Sequence, residues 1–221
     1  MGTRIVAIEG CGGNAAERAA ALAAATGTTL YEAERHLAAG GPRVLATYAD
    51  AVLAAQTASA LAAAGFVPIV LDEDAVWRER FPVRGFELVG RTLAVTDRQG
   101  ARLQVPFGRI TALVRGVRTL GGDEREPFFE VHSPGAPVLV FCERHLRYDG
   151  LHLERQPTAA ANFVRLVARL RKQAPQASYD DRLNSRTGQL HVLGERLTPE
   201  AHLEIATLLL ARTLERMAPA A

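Results

Sequence analysis

The sequence predicts an α+β protein of two modules: a βααβαβ unit, then an antiparallel β-rich unit with a covering helix and a C-terminal helix. Three observations carry this. Up to residue 71, short apolar runs alternate with Ala-rich segments of helical period. From 85 to 148, strand signals recur at short spacing between turn residues. Beyond residue 158, apolar residues return to intervals of three and four. The expected domains are residues 1–74, a charged connector at 75–82, the β-rich domain at 83–176, and 177–221 as an irregular segment plus an amphipathic helix.

The elements follow in order. Residues 3–8 read as a strand, broken by Gly10-Cys11-Gly12-Gly13. Asn14 is placed to cap a helix over 15–25 that stops at Thr26-Gly27. Thr29, with Glu32 three residues later, forms the signature of a capping box. Leu30, Ala33 and Leu37 share one face of the helix it opens. Gly40-Gly41-Pro42 ends that helix, and 43–47 read as a strand. Residues 50–64 form an Ala-rich helix closed by Gly65. Ala favours helix but buries little area, so this helix must lie close to a flat surface. Val67–Leu71 is the last strand of the unit.

In the second module, strands are expected at 86–89, 92–96, 103–107, 110–117, 128–132 and 138–142. Asp97–Gly100 and Ser133–Pro137 supply turns. Phe163, Leu166, Val167 and Leu170 mark a helix near 162–172 that packs on the sheet. Such a meander with one closing helix is the outline of a pleckstrin-homology-like barrel, an outline that open sheets with one covering helix share. Thr198-Pro199-Glu200 starts a final helix, about 199–216, striped by Leu203, Ala206, Leu210 and Leu214. That stripe must dock. Docking inside the chain is the favoured arrangement, and a homodimer through this helix is the competing one.

Composition limits the function classes. The chain has 221 residues, 48% hydrophobic and 23% charged, an ordinary globular balance. No apolar run reaches the roughly 18 residues of a membrane span, and no secretory signal is visible at the start. Two cysteines, Cys11 and Cys142, make no disulfide framework. A cytoplasmic location is therefore expected. The net charge is +2, with no strongly basic stripe, so nucleic acid is not an expected partner.

One segment carries a resemblance. Thr26-Gly27-x-x-Leu30-x-Glu32-Ala33, then Pro42, then Leu61-x-x-Ala64-Gly65 running into Phe66–Leu71, resembles the C-terminal domain of ribosomal protein L7/L12. The protease adaptor ClpS shares that βααβαβ fold. The resemblance covers about 70 residues and implies a unit that docks proteins. The ribosomal family places lysines around its Leu-x-Glu-Ala helix, whereas this chain has Tyr31 and Glu34 there, with Arg35 nearby. Tyr31 and Arg35 become the candidate contacts. The dimerising N-terminal region and hinge of that family are missing, as are the Asn-Asp-Asp start and helix histidine of ClpS. The later residues Tyr148, Gly150, Leu151, Asn162, Phe163, Leu166, Val167, Ala174 and Pro175 resemble a pattern in uncharacterised bacterial proteins, which names no activity.

Candidate chemistry is sparse. Gly10–Gly13 between strand and helix has the form of a phosphate loop. It lacks the third glycine, a Gly-Lys-Ser/Thr and an acidic partner, so it reads as a turn with an N-cap. His132, Cys142, His145 and His152 lie close in sequence but match no metal-ligand spacing. Cys142 in an apolar strand reads as a small buried hydrophobe, and a Cys142–His145 nucleophile pair would need activation. Arg109, Arg115 and Arg118 cluster around one strand. They are candidates for an anionic headgroup or acidic partner, against a solvated strand face as the plain reading. Asp180-Asp181 reads as a loop or cap. The expectation is a non-enzymatic interaction or regulatory protein that docks protein partners, without metal or cofactor. The alternative is anionic-ligand or phospholipid-headgroup binding through the β-rich module.

Overall fold

The computed structural model describes residues 2–9, 14–38, 40–122 and 124–217. The Gly10–Gly13 turn therefore lies outside the described residues. The protein is α+β, and its chain divides into two compact units. The first holds residues 1–78 and 186–213. The second holds 79–185 and the residues from 214 onward.

The first unit begins with the expected order: β1 (Arg4–Ile8), α1 (Ala15–Thr26), α2 (Leu30–Leu37), β2 (Arg43–Tyr48), α3 (Ala51–Ala63) and β3 (Pro68–Asp72). β1 lies between β2 and β3, antiparallel to both, and an Arg4–Asp72 ion pair bridges β1 to β3. The caps form as the sequence requires. Asn14 accepts from the Ala16 N–H, and Thr29 accepts from the Glu32 N–H at 3.2 Å. The Glu32 carboxylate accepts from the Thr29 N–H at 2.8 Å. Gly27 takes the left-handed conformation that closes α1.

Val6, Ile8 and Leu45 pack with Ala19, Leu22, Ala33, Ala54, Leu61 and Phe66 from α1, α2, α3 and the turn after α3. The small residues let α3 approach closely. Ile5, Ala7, Ile69 and Leu71 of the other sheet face are buried as well. A strand buried at consecutive positions is covered on both sides. The unit's remaining helices are α6 (Arg186–Leu193), which packs against β2, and most of α7 (Pro199–Met217). Gly194, at the end of α6, has no room for a side chain, since a Cβ there would lie 2.7 Å from the Val44 carbonyl oxygen.

Two segments differ from expectation. The charged connector is ordered as α4 (Glu73–Arg78) running into β4 (Arg80–Val83). The segment read as irregular holds β11 (Ser178–Leu183) and α6. β11 hides its strand character because one buried position is Asp180, whose carboxylate is held by Arg182 Nε at 2.9 Å and Nη2 at 2.8 Å.

The second unit contains β5 (Gly85–Val89), β6 (Thr92–Thr96), β7 (Arg102–Pro106), β8 (Ala112–Thr119), β9 (Arg125–His132), β10 (Val138–Cys142) and α5 (Ala159–Gln173), besides β4 and β11. β5-β6-β7 form an antiparallel meander. The larger sheet runs β11-β8-β9-β10-β4. It is not wholly antiparallel, because β4 pairs parallel with β10 and β11 pairs parallel with β8. Parallel pairing needs a crossover, and α5 provides one between β10 and β11. Phe163, Leu166, Val167 and Leu170 of α5 share one core with Phe86, Leu93 and Val95 of the meander and Leu113, Phe129 and Phe141 of the larger sheet. Phe86 sits edge-on to Phe141 and to Tyr148, each at 6.5 Å.

Candidate functional site

Two polar clusters of the second unit are candidate sites: a basic groove at one end of the meander, and a buried cluster on the face of the larger sheet opposite α5.

The groove is built by backbone pairing. The Arg147 N–H donates to the Arg84 carbonyl at 2.8 Å, and the Arg84 N–H donates to the Thr96 carbonyl at 2.7 Å. Thr96 in turn stands opposite Arg102. Three arginines thus come side by side although the sequence spreads them over three segments. The β6–β7 turn adds Arg98. Its Gly100 adopts φ +89°, and its Asp97 carboxylate accepts from the Ala101 N–H at 2.8 Å. Gly85 leaves space for Arg147, because a Cβ there would lie 3.3 Å from the guanidinium.

The result is a recess of about 420 Å³ walled by Arg84, Arg98, Arg102 and Arg147, with Asp97 as its single acid. It adjoins an open groove of about 380 Å³ floored by Phe86, Val95 and Gly150 and flanked by Gln104, His152 and two acids, Glu87 and Asp149. His152 holds φ +48°, the one positive φ at a non-glycine residue among those described. Such backbone strain collects at ligand sites.

The buried cluster follows from strand register. Cys142 pairs with Phe128, so Glu126, two residues along β9, projects from the same face; Arg118 stands opposite Glu126 on β8. Glu126 is fully buried, and neither carboxylate oxygen has a hydrogen-bond partner. Arg118 Nε approaches it at 3.6 Å, His145 Nδ1 lies 3.9 Å away, and Arg118 also donates to the Cys142 sulfur. Burial pushes the Cys142 thiol up to about 11 despite the nearby Arg118 charge. Single donor atoms of Glu126, Cys142 and His145 all lie within 4.8 Å of one another. Further along the face, Glu130 pairs with Arg80 and stands 3.3 Å from His132 Nε2.

No protein-family model matches the chain, and no curated protein or solved structure matches it.

The residues singled out from sequence lie apart. Arg109 is exposed in the turn after β7 and donates to the Pro134 carbonyl at 3.1 Å. Arg115 shares the face of Leu113, and its charge acts on Tyr179, whose phenol burial raises above its ordinary range. Arg118, three positions on, points to the opposite face. Tyr31 and Arg35 sit on α2 of the first unit, with the guanidinium 5.9 Å from the ring and 2.8 Å from Glu195. Of the histidines and cysteine read together, the structure unites Cys142 with His145 and adds Glu126. His152 faces the groove. Arg98 and Arg102 were findable, because the first lies in, and the second just after, a turn that the sequence marks. Arg84 and Arg147 carry no such mark, since only the folded backbone brings them near.

Among the described residues no helix is long and apolar enough to cross a membrane.

Proposed function

We propose that the β-rich unit binds a phosphate-bearing anionic ligand in the groove beside the β6–β7 turn, as a binding protein without turnover. The observation that carries this reading is the recess with four arginine walls, whose one acid, Asp97, is engaged by its own turn. Among the described residues Arg98, Arg102 and Arg147 make no ion pair. Uncompensated guanidinium groups in a concave site concentrate positive potential, and their planar forks suit phosphate oxygens. The apolar floor at Phe86 and Val95 offers contact to the rest of a small molecule.

Titration calorimetry with inorganic pyrophosphate at low salt tests the proposal. Saturable binding at one site is expected, weakened roughly tenfold in Arg102→Ala and in Arg147→Ala, a loss of about 1.4 kcal/mol each. Sedimentation with phosphatidylcholine vesicles containing phosphatidic acid separates a lipid headgroup from a free phosphate ligand. Absence of binding in both assays overturns the proposal.

A second reading, docking of a protein partner on α2, is supported by Leu30 and Tyr31, which are 50% and 68% exposed. It is also what the resemblance of this segment implies. A photo-crosslinker at Tyr31 should capture one partner, and Arg35→Glu should abolish the capture. Equal capture from a crosslinker at Leu153, in the other unit, would remove this reading.

A further inference from the structure

We infer that Glu126, Cys142 and His145 form a three-donor site for a divalent transition metal of the zinc type, with the fourth position open on the His145 side. The donor set is one carboxylate, one thiol and one imidazole, the mix that a borderline-soft ion accepts. The set is brought together by fold and not by spacing: Glu126 comes from β9, Cys142 from the end of β10, and His145 from the turn that follows.

Three observations support the site. The first is the state of Glu126. A carboxylate with no exposed surface and no hydrogen bond at either oxygen is costly unless something compensates it. Arg118 at 3.6 Å compensates it only in part.

The second is distance. Donors around a tetrahedral zinc lie about 3.3–3.8 Å apart, given metal–ligand bonds of about 2.0–2.3 Å. The three donor atoms are already within 4.8 Å of one another. The remaining contraction falls on His145, whose side chain is 60% exposed in a single turn and free to move inward.

The third is charge. The pocket now contains the Glu126 carboxylate facing the Arg118 cation. A divalent ion bound by a carboxylate, a thiolate and a neutral imidazole is itself neutralised, the thiol proton leaving to solvent. Arg118 then has no role in the cluster. Its side chain is 30% exposed, so it has a path outward. Arg118 and the metal therefore compete for the same carboxylate and sulfur.

Cobalt(II) absorption on the full chain tests this. Cys11→Ser is used as the parent, so that Cys142 is the one thiol. The parent should bind one equivalent of cobalt with a thiolate-to-metal charge-transfer band and tetrahedral d–d bands. Cys142→Ser should abolish the charge-transfer band. Glu126→Gln and His145→Ala should each weaken binding at least tenfold. Arg118→Met, which removes the competing cation, should tighten it at least tenfold. His145→Ala changes an exposed side chain, so a loss of binding there reports a lost ligand and not a lost fold. A parent with no charge-transfer band at saturating cobalt overturns the inference. A band that survives Cys142→Ser, or affinity unchanged in His145→Ala, also overturns it.

Discussion

Arg118 and Glu126 stand directly opposite each other on neighbouring antiparallel strands, with the guanidinium Nε 3.6 Å from a carboxylate that has lost all contact with water. Removing one member of such a pair strands the other. Metal-free Arg118→Met should lose about 3 kcal/mol, because an unpaired carboxylate then remains buried. Glu126→Gln should lose less, since the partly exposed Arg118 can turn to solvent. The double variant should be more stable than Arg118→Met alone. Urea unfolding in the presence of a chelator measures all three. An Arg118→Met protein at least as stable as Glu126→Gln would mean that Glu126 has another partner.

Gly150 fixes the floor of the basic groove. A Cβ there would lie 2.0 Å from the Phe86 carbonyl oxygen, a backbone atom that cannot yield as a flexible side chain would. Gly150→Ala should therefore destabilise by about 3 kcal/mol, the upper end of ordinary overpacking. Gly108→Ala is the control. Nothing lies within 4 Å of its Cβ position, and a change within about 0.5 kcal/mol is expected. Similar melting temperatures for the two variants would show that Gly150 has room.

Phe163 is buried in the core that α5 forms with both sheets. Phe163→Ala should cost about 3–5 kcal/mol in denaturant unfolding. A loss below about 1 kcal/mol would place the core elsewhere.

His36 links stability to pH in the first unit. Burial, assisted by the Arg43 charge, lowers its affinity for a proton from the ordinary value of 6.5, and its buried Nδ1 has no hydrogen-bond partner. Glu195 and Glu32 act in the opposite direction with less effect. Between the lowered folded pKa and 6.5 the unfolded chain binds more protons, so stability rises with pH in that window. Stability should thus begin to fall as the solution is acidified through 6.5 and stop falling below the folded pKa. His36→Gln should flatten this segment of the curve. An unchanged slope in that variant would assign the dependence to another group.

The architecture was legible where local pattern and tertiary need agree. Thr92–Thr96 and Val138–Cys142 alternate or run apolar between turn residues, and both strands occur with those bounds. Thr29 with Glu32 announced a helix start that the hydrogen bonds complete. β11 was not legible, because Ser-Tyr-Asp-Asp-Arg-Leu looks like a loop until Arg182 is seen to neutralise the inward Asp180. The sites were hidden for a different reason. Arg109, Arg115 and Arg118 are close in sequence, yet strand alternation sends the last two to opposite faces. Arg84, Arg98, Arg102 and Arg147 are distant in sequence and meet through backbone ladders. Glu126 closes a charged run, and Glu130 stands between Phe129 and Val131 as an outward position would, so nothing marked their face as buried.

α7 is buried beyond its apolar stripe. Its expected stripe was Leu203, Ala206, Leu210 and Leu214. Leu203, Ala206 and Leu210 are buried while Leu214 is only half-buried, and Ile205, Leu209, Ala211 and Thr213 are inside as well. A helix enclosed around so much of its circumference is part of the core, and an isolated helix of this length would be marginal. Residues 199–213 belong to the compact unit that contains β1–β3. Leu209 alone, fully buried, should cost about 2–5 kcal/mol when truncated to Ala. Deleting 198–221 removes all of these contacts, so the shortened chain should melt far lower and expose apolar surface to a hydrophobic dye. Because the lost contacts lie within one chain, the melting temperature of the full-length protein should not depend on its concentration. A helix that served mainly to join two copies would behave otherwise. Stability would then rise with concentration, and deletion would convert a dimer into a monomer that melts like the dilute full-length chain. Light scattering combined with melting across a hundredfold range of concentration separates the two outcomes.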